Sequence, residues 1–271
     1  MVGFCCPVCG AALKNTEKAC TCPNGHNFDK AKAGYVHLLT SFSGRKTHGD
    51  NKEMVRARRA FLETGAYAPL KNAIAETAKK YAVTNGTALD SGCGEGYYTA
   101  AIAEKIGNTM QVLGFDISKD AVNLAAKRCK AAQFAVASAF HIPAKTESVD
   151  LLFEIFSPYS ETEFLRVLKP GGCLFEVIPG ARHLYGLKAA VYDKPYENEV
   201  AEFSRAGYTL LESLHLQNEI TLQTAADIRN LFLMTPYYYK TGKAEQARLH
   251  DLQTLTTETE FYILVYRKNT I

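Results

Sequence analysis

Four residues near the start of the chain, Cys6, Cys9, Cys22 and His26, are spaced as C-x2-C and C-x3-H with twelve residues between the pairs. Four soft or borderline ligands in two short loops can enclose one tetrahedral zinc ion and leave no open position, which describes a structural site. Cys5 and Cys20 are neighbouring alternatives to Cys6 and Cys22. Further along, Asp90-Ser91-Gly92-Cys93-Gly94-Glu95-Gly96 sets glycines at G-x-G-x-G spacing, where a backbone can turn tightly and let a ligand come close. A dinucleotide loop would read G-x-G-x-x-G and rest a pyrophosphate on a helix N-terminus. Here the acidic Glu95 lies inside the loop, which suits the amino-acid end of a cationic sulfonium cofactor better than a phosphate. Asp116, closing the run Leu113-Gly114-Phe115, can accept hydrogen bonds from both hydroxyls of a ribose. Ser138, after Ala137, would border an adenine.

These residues need elements to hold them. From Thr87 onward short apolar runs alternate with helical segments. Ala88-Leu89-Asp90 is followed by a predicted helix over Tyr97 to Ile106, and Gln111 to Asp116 by a helix over Lys119 to Lys130. Phe134 to Ala137, Leu151 to Ile155 and, after Lys169-Pro170-Gly171-Gly172, Cys173 to Ile178 are further strands. The alternation predicts a parallel sheet covered on both faces. Tyr208 to Leu216 and Phe261 to Arg267 read as two late strands, the second closing the sheet as an antiparallel member. Upstream, Lys52 to Tyr81 has a helical pattern broken near Gly65 and Pro69, which predicts two helices. Ser41 to Asn51 is polar and reads as a linker or mobile loop. The predicted organisation is a zinc-binding module over residues 1–37, a linker and helical segment over 38–86, and a cofactor-binding α/β domain over 87–271. The loop, the acid one strand later, Ser138 and the Lys169 to Gly172 turn together resemble the class I S-adenosylmethionine-dependent methyltransferases. That resemblance implies a Rossmann-like sheet.

Composition narrows the setting. With 271 residues and 47% hydrophobic content the chain can bury a full-sized core, yet no run approaches the roughly 18 apolar residues of a membrane span. The start lacks the basic and apolar pattern of an export signal, so a cytoplasmic protein with no membrane partner is expected. Without export, five cysteines crowded into the first 22 residues argue for metal rather than disulfides. Residues 1–60 carry ten Lys/Arg against four Asp/Glu, while the rest of the chain is slightly acidic, so the basic end is the place for a polyanion. Arg56, Arg58 and Arg59 cluster there; they read either as a solvated helix face or as phosphate contacts.

A closer resemblance runs through Cys6-Pro7-Val8-Cys9, Cys22 to Asp29, Ala33-Gly34-Tyr35-Val36, Arg56 to Leu62, Gly65-Ala66-Tyr67, Asp90 to Thr99, Pro179 to Leu184 and Met234-Thr235-Pro236. These segments are similar to the RlmA family, bacterial 23S ribosomal RNA guanine-N1 methyltransferases. The resemblance implies Cys6, Cys9, Cys22 and His26 as zinc ligands and Tyr67, Tyr98, Thr99 and His183 as cofactor contacts. It also implies a homodimer whose positive cleft takes an RNA hairpin. Methyl transfer from a sulfonium is an in-line displacement, so the protein must chiefly hold the nucleophile behind the methyl group. Guanine N1 carries a proton near neutral pH, and a carboxylate or oriented carbonyl would assist its loss. Glu154, Ser157 and Pro158, just past the fourth strand of the domain, are the candidates. Tyr237-Tyr238-Tyr239 reads either as core or as a stacking surface for an exposed base. Two rival functions share some of these features: methylation of a small molecule, and a zinc-stapled RNA-binding protein without catalysis.

Overall fold

The computed structural model describes residues 3–40 and 50–270. The sequence's predicted linker, Ser41 to Asn51, therefore lies mostly outside the described residues. Near the N-terminus, β1 (Lys14–Asn15), β2 (Ala19–Thr21) and β3 (Asn27–Asp29) form a small antiparallel sheet. It is not a detached bead. The next strand, β4 (Val36–His37), adds in parallel to β7 (Ala132–Val136) at the edge of the main sheet. Phe4, Val36 and Leu38 are buried in the same core as Leu113 and Phe115.

Two helices follow, as the break near Gly65 and Pro69 predicts. In α1 (Lys52–Glu63) the Asn51 side chain accepts the Met54 N–H at 2.9 Å, satisfying a donor that the first helical turn leaves free. In α2 (Ala68–Tyr81) Pro69 occupies the first turn, where its missing N–H costs nothing.

The remaining elements, in chain order, are β5 (Gly86–Ser91), α3 (Tyr97–Ile106), β6 (Met110–Asp116), α4 (Lys119–Arg128), the already named β7, β8 (Val149–Ile155), α5 (Glu161–Val167), β9 (Leu168–Pro179), α6 (Tyr185–Val191), β10 (Tyr208–Leu222), α7 (Ala225–Leu233), α8 (Tyr237–Lys240), α9 (Lys243–Ala247) and β11 (Leu255–Lys268). The main sheet runs β10-β11-β9-β8-β5-β6-β7-β4, and β11 alone runs opposite to the other strands. Every residue of β5 is buried, as expected of a central parallel strand covered on both faces. Alternation sends Val112, Phe153, Phe175 and Ile263 into one core with Leu70, Ile74 and Ile102, and Leu113, Leu152, Leu174 and Leu264 into a second core with Phe164. Among the described residues no helix is long and apolar enough to cross a membrane.

The last two strands differ from the expectation. β11 does not close the sheet; it lies inside, and β10 is the edge. The reason lies in the residues: Phe261 to Tyr266 is continuously apolar and buries on both faces, whereas β10 alternates and is mostly exposed. The Lys169 to Gly172 turn is also drawn into β9, which begins at Leu168.

β5 pairs with β6 on one side and β8 on the other, so the strand order reverses there. In sheets of this kind a ligand sits in the crevice outside the carboxyl ends of the strands at such a reversal, which here is bounded by the loops after β5 and β8.

Candidate active site and metal centre

The loop after β5 enters α3 through glycines in the left-handed region. A Cβ on Gly92 (φ +76°) would stand 2.4 Å from Ser157 Cβ, and one on Gly96 (φ +80°) 3.0 Å from Ala125 Cα. No side chain fits at either position. Gly94 instead faces open space, with no heavy atom within 4 Å of where its Cβ would be.

Around that open space the acids converge. Asp90 is 2% exposed and accepts the Thr99 hydroxyl at 2.5 Å. Burial, partly offset by that hydroxyl and reinforced by Asp116, pushes Asp90 up to about 7. Asp116 accepts the Gly94 N–H at 3.0 Å on one oxygen and the Ser118 N–H at 2.7 Å on the other. Burial raises it as well, against those two N–H groups. Two carboxylates held in a dry cradle gain when a cation arrives, and each oxygen keeps a lone pair for a hydroxyl. The donor set thus fits S-adenosylmethionine. Ser138 follows β7, and its hydroxyl accepts the Phe140 N–H at 3.2 Å; Ala137 N–H donates to the Asp116 carbonyl.

Glu95 does not take part in the way the sequence suggests. Its side chain is 2% exposed and forms an ion pair with Arg128 at 2.7 Å, while Arg128 also reaches Glu63 and lies over the Tyr97 ring. A carboxylate buried this deeply in a turn needs a counter-ion, and Arg128 at the end of α4 supplies it.

The second lip is the end of β8. Glu154 lies inside that strand rather than past it. With its register partner Glu176 it projects to the face of Leu152 and Leu174. At 4% exposure it is turned away from the crevice, and its Oε1 accepts the Ser157 N–H at 2.5 Å. Burial first, then the Glu176 charge, push it up to about 8. Ser157 Oγ donates to the Ser91 carbonyl at 2.6 Å, tying this lip to the cofactor loop. Pro158 completes the turn.

Tyr67, Tyr98 and His183 meet in an aromatic wall above the loop. Tyr67 and His183 are buried, with Tyr67 Oη 3.4 Å from His183 Nε2. The backbone N–H of Glu260 can only donate, so His183 Nδ1 accepts it and the neutral ring carries its proton on Nε2. Burial pushes His183 down to about 3, with Lys188 adding to the effect. Phe261 sits edge-on to Tyr67 at 5.0 Å between ring centroids. Sequence reasoning missed Phe156, whose ring lies 5.5 Å from Phe261 and 6.4 Å from Tyr98. An aromatic residue between a buried acid and Ser-Pro was the available signal.

The three arginines of α1 do not make one patch. Arg58 pairs with Asp50 and acts on both Asp116 and Tyr98, which puts it by the crevice. Arg59 pairs with Glu63. Arg56 is exposed, in a groove between α1 and α7 that Lys52 and Arg229 also line. Of the tyrosine run, Tyr237 and Tyr238 pack against the core while Tyr239 is 57% exposed.

At the N-terminal module the ligand atoms of Cys6, Cys9, Cys22 and His26 all lie within 4.8 Å of one another. Cys5 and Cys20 point elsewhere: Cys5 bridges to Ala12 and donates its N–H to Pro143, and Cys20 Sγ faces Asn15. A backbone hydrogen bond from Ala11 pulls Cys9 down to about 6. Three sulfurs and one imidazole nitrogen so grouped match a closed tetrahedral zinc site.

Comparison with known proteins agrees with this geometry. The family model described as RlmA, N-terminal, matches residues 4–41, and one described as a methyltransferase domain matches residues 88–172. A 23S rRNA (guanine(748)-N(1))-methyltransferase from Streptomyces fradiae is 36% identical over 69% of this chain and 66% of its own, just under two thirds of that relative. A Bacillus subtilis (strain 168) protein, provisionally named 23S rRNA (guanine-N(1)-)-methyltransferase YxjB, is 32% identical over 98% of this chain and 97% of its own. The chain belongs to the 23S rRNA guanine-N1 methyltransferase family. Its fold is shared more widely: the YcgJ protein of Bacillus subtilis superposes with a TM-score of 0.50 at 15% identity, covering 73% of this chain and 98% of that one. As a family member the chain is an S-adenosylmethionine-dependent methyltransferase with a zinc-binding N-terminal module, and the cradle and the four-ligand cluster are the features that fit those two groups.

Proposed function

We propose that this protein methylates N1 of a guanine in a hairpin of 23S ribosomal RNA, acting as a cytoplasmic homodimer. One observation carries the reading: a four-ligand zinc cluster stands ahead of a sulfonium-type cradle in one chain, a pairing that a small-molecule methyltransferase does not need. The basic first sixty residues favour a polyanionic substrate. In this reading residues 1–37 form the zinc module, 38–86 the linker and helical segment, and 87–271 the methyltransferase domain. Cys6, Cys9, Cys22 and His26 would hold zinc as a structural staple.

Bound S-adenosylmethionine supplies an electrophilic methyl group on a cationic sulfur. Gly92, Gly94 and Gly96 let the backbone approach it, with Asp90 and Asp116 facing its charge and its ribose. Thr99 orients Asp90 through its hydroxyl. Ser138 borders the adenine, and Tyr67, Tyr98 and His183 wall the methyl end. Glu154 holds the lip in place through Ser157 rather than accepting the base's proton itself. The carbonyl oxygens of the Ser157-Pro158 turn are assigned a hydrogen bond from the guanine N1–H that polarises it, and the proton itself passes to solvent water. Arg56, Arg58 and Arg59 are assigned to phosphate and crevice contacts.

Incubation of zinc-loaded protein with unmodified large-subunit RNA and labelled cofactor tests the reading. Label should map to one guanine whose Watson–Crick edge then blocks reverse transcription. Label in a metabolite instead would transfer the assignment to the small-molecule rival; tight RNA binding without cofactor uptake would leave only a binding module.

A further inference from the structure

Phe156 occupies a conformation that its residue type does not favour. Its φ is +57°, in the left-handed region that bulky side chains avoid. The other non-glycine residues of this kind among the described residues are Asn85, Glu147 and Leu184. Asn is tolerated there, Glu147 lies in an exposed turn and Leu184 is buried. Phe156 alone is a large aromatic left 46% exposed.

The surroundings enforce this placement from both sides. Glu154 Oε1 receives the Ser157 N–H at 2.5 Å, and Ser157 Oγ reaches the Ser91 carbonyl at 2.6 Å. Ser157 Cβ fills the space that Gly92 leaves. Strained backbone persists only where neighbours over-determine it, and such positions gather at ligand sites. Here the restraint turns an apolar ring out of the sheet end and stands it at the lip of the crevice, beside Tyr98 and Phe261. Burying Phe156 in the core would have been the cheaper solution for an unliganded protein.

We infer that Phe156 is the platform on which the target base stacks, presenting the edge of that base to the methyl donor. The inference rests on the RNA-methyltransferase reading above and names the residue that recognises the base in that same site. A flat apolar ring on a rigid turn suits an extruded purine, because stacking needs a preset plane and is lost if the plane swings. The cofactor would be held by other residues, Asp90, Asp116 and Ser138.

The test uses the full-length, zinc-loaded protein and two substitutions. Phe156→Gly removes the ring and suits the left-handed backbone, so it folds; Phe156→Leu keeps apolar bulk but no π-face. Both should lower kcat/KM on large-subunit RNA by roughly tenfold to a hundredfold, the range of a lost base-aromatic stack. Phe156→Tyr should stay within about threefold of wild type, and the dissociation constant for S-adenosylmethionine should stay unchanged in every variant. A hairpin carrying 2-aminopurine at the nucleotide that the wild type methylates gives a second readout. Its fluorescence should be quenched by wild type and recover with Phe156→Gly. Wild-type rates and quenching in the Gly and Leu variants would overturn the inference, as would a loss explained wholly by weaker cofactor binding. If the wild type itself methylates no RNA, the inference falls together with the reading it rests on.

Discussion

Ser157 stands where a side chain on Gly92 would have to go, its Cβ 2.4 Å from that position, so the lip after β8 rests directly on the backbone of the cofactor loop. The two halves of the crevice are therefore built as one unit. Gly92→Ala should both clash there and strain a φ of +76°. The expected loss of stability is about 2–4 kcal/mol. Cofactor binding should fall with it, and calorimetry beside a denaturant titration measures the two effects.

Arg128 neutralises the buried Glu95. Arg128→Met should cost about 3 kcal/mol by leaving that carboxylate without its partner, and adding Glu95→Gln should recover a large part of the loss. A double-mutant cycle in urea reads the coupling. Equal losses in the single and double variants would show that Glu95 needs no counter-ion.

Asp90 holds a proton that the unfolded chain does not. Its folded value is about 7 against an ordinary 3.8, so the native state binds more protons between those limits, and the stability of the ligand-free protein should fall as pH rises from about 4 to about 7. Glu154, pushed up to about 8, extends the same slope upward. Asp90→Asn should flatten the lower part. A cationic cofactor favours the ionised carboxylate, so its binding should release a proton below pH 7 and tighten as pH rises to that point. Titration calorimetry in two buffers of different ionisation enthalpy counts that proton.

Zinc removal should loosen more than the small sheet. β4 pairs with β7, and the Cys5 N–H donates to Pro143, so the module is stitched to the main core. After chelation, or in Cys22→Ser, hydrogen exchange should quicken across residues 4–38 and also in β7. Exchange in β5 and β8 should hardly change. Exchange confined to the module would show that the metal supports no more than its own loops.

Among the described residues Arg56 has no ion-pair partner, whereas Arg58 and Arg59 already face Asp50 and Glu63. Arg56→Ala should weaken RNA binding several-fold and reduce the salt slope by about 1. Arg59→Ala should do less. Filter binding across a salt series compares them.

The local parts of this protein were legible in its residues. The C-x2-C and C-x3-H spacing pointed to Cys6, Cys9, Cys22 and His26 because a metal site made of two short loops depends strongly on spacing, but it left Cys5 and Cys20 as alternatives that only the geometry set aside. Tyr97 to Ile106 was bounded correctly as a helix because its apolar positions repeat at the helical period. The glycine loop and Asp116 were legible for a similar reason, since tight turns and strand ends restrict which residue types fit.

What sequence could not decide were relations between residues far apart in the chain. Glu95 looked like a cofactor group until α4 brought Arg128 against it, and Glu154 looked catalytic until its strand register turned it into the second core. Of the clustered arginines of α1, helical geometry turns Arg58 away from Arg56 toward Asp50, while Arg59, a surface neighbour of Arg56 three residues on, is engaged by Glu63. Sequence separation says nothing about which of two faces a strand residue takes once both faces are buried, or which distant charge will meet it. Only packing of the sheet against its helices assigns those partners, and with them the outward turn of the Phe156 ring.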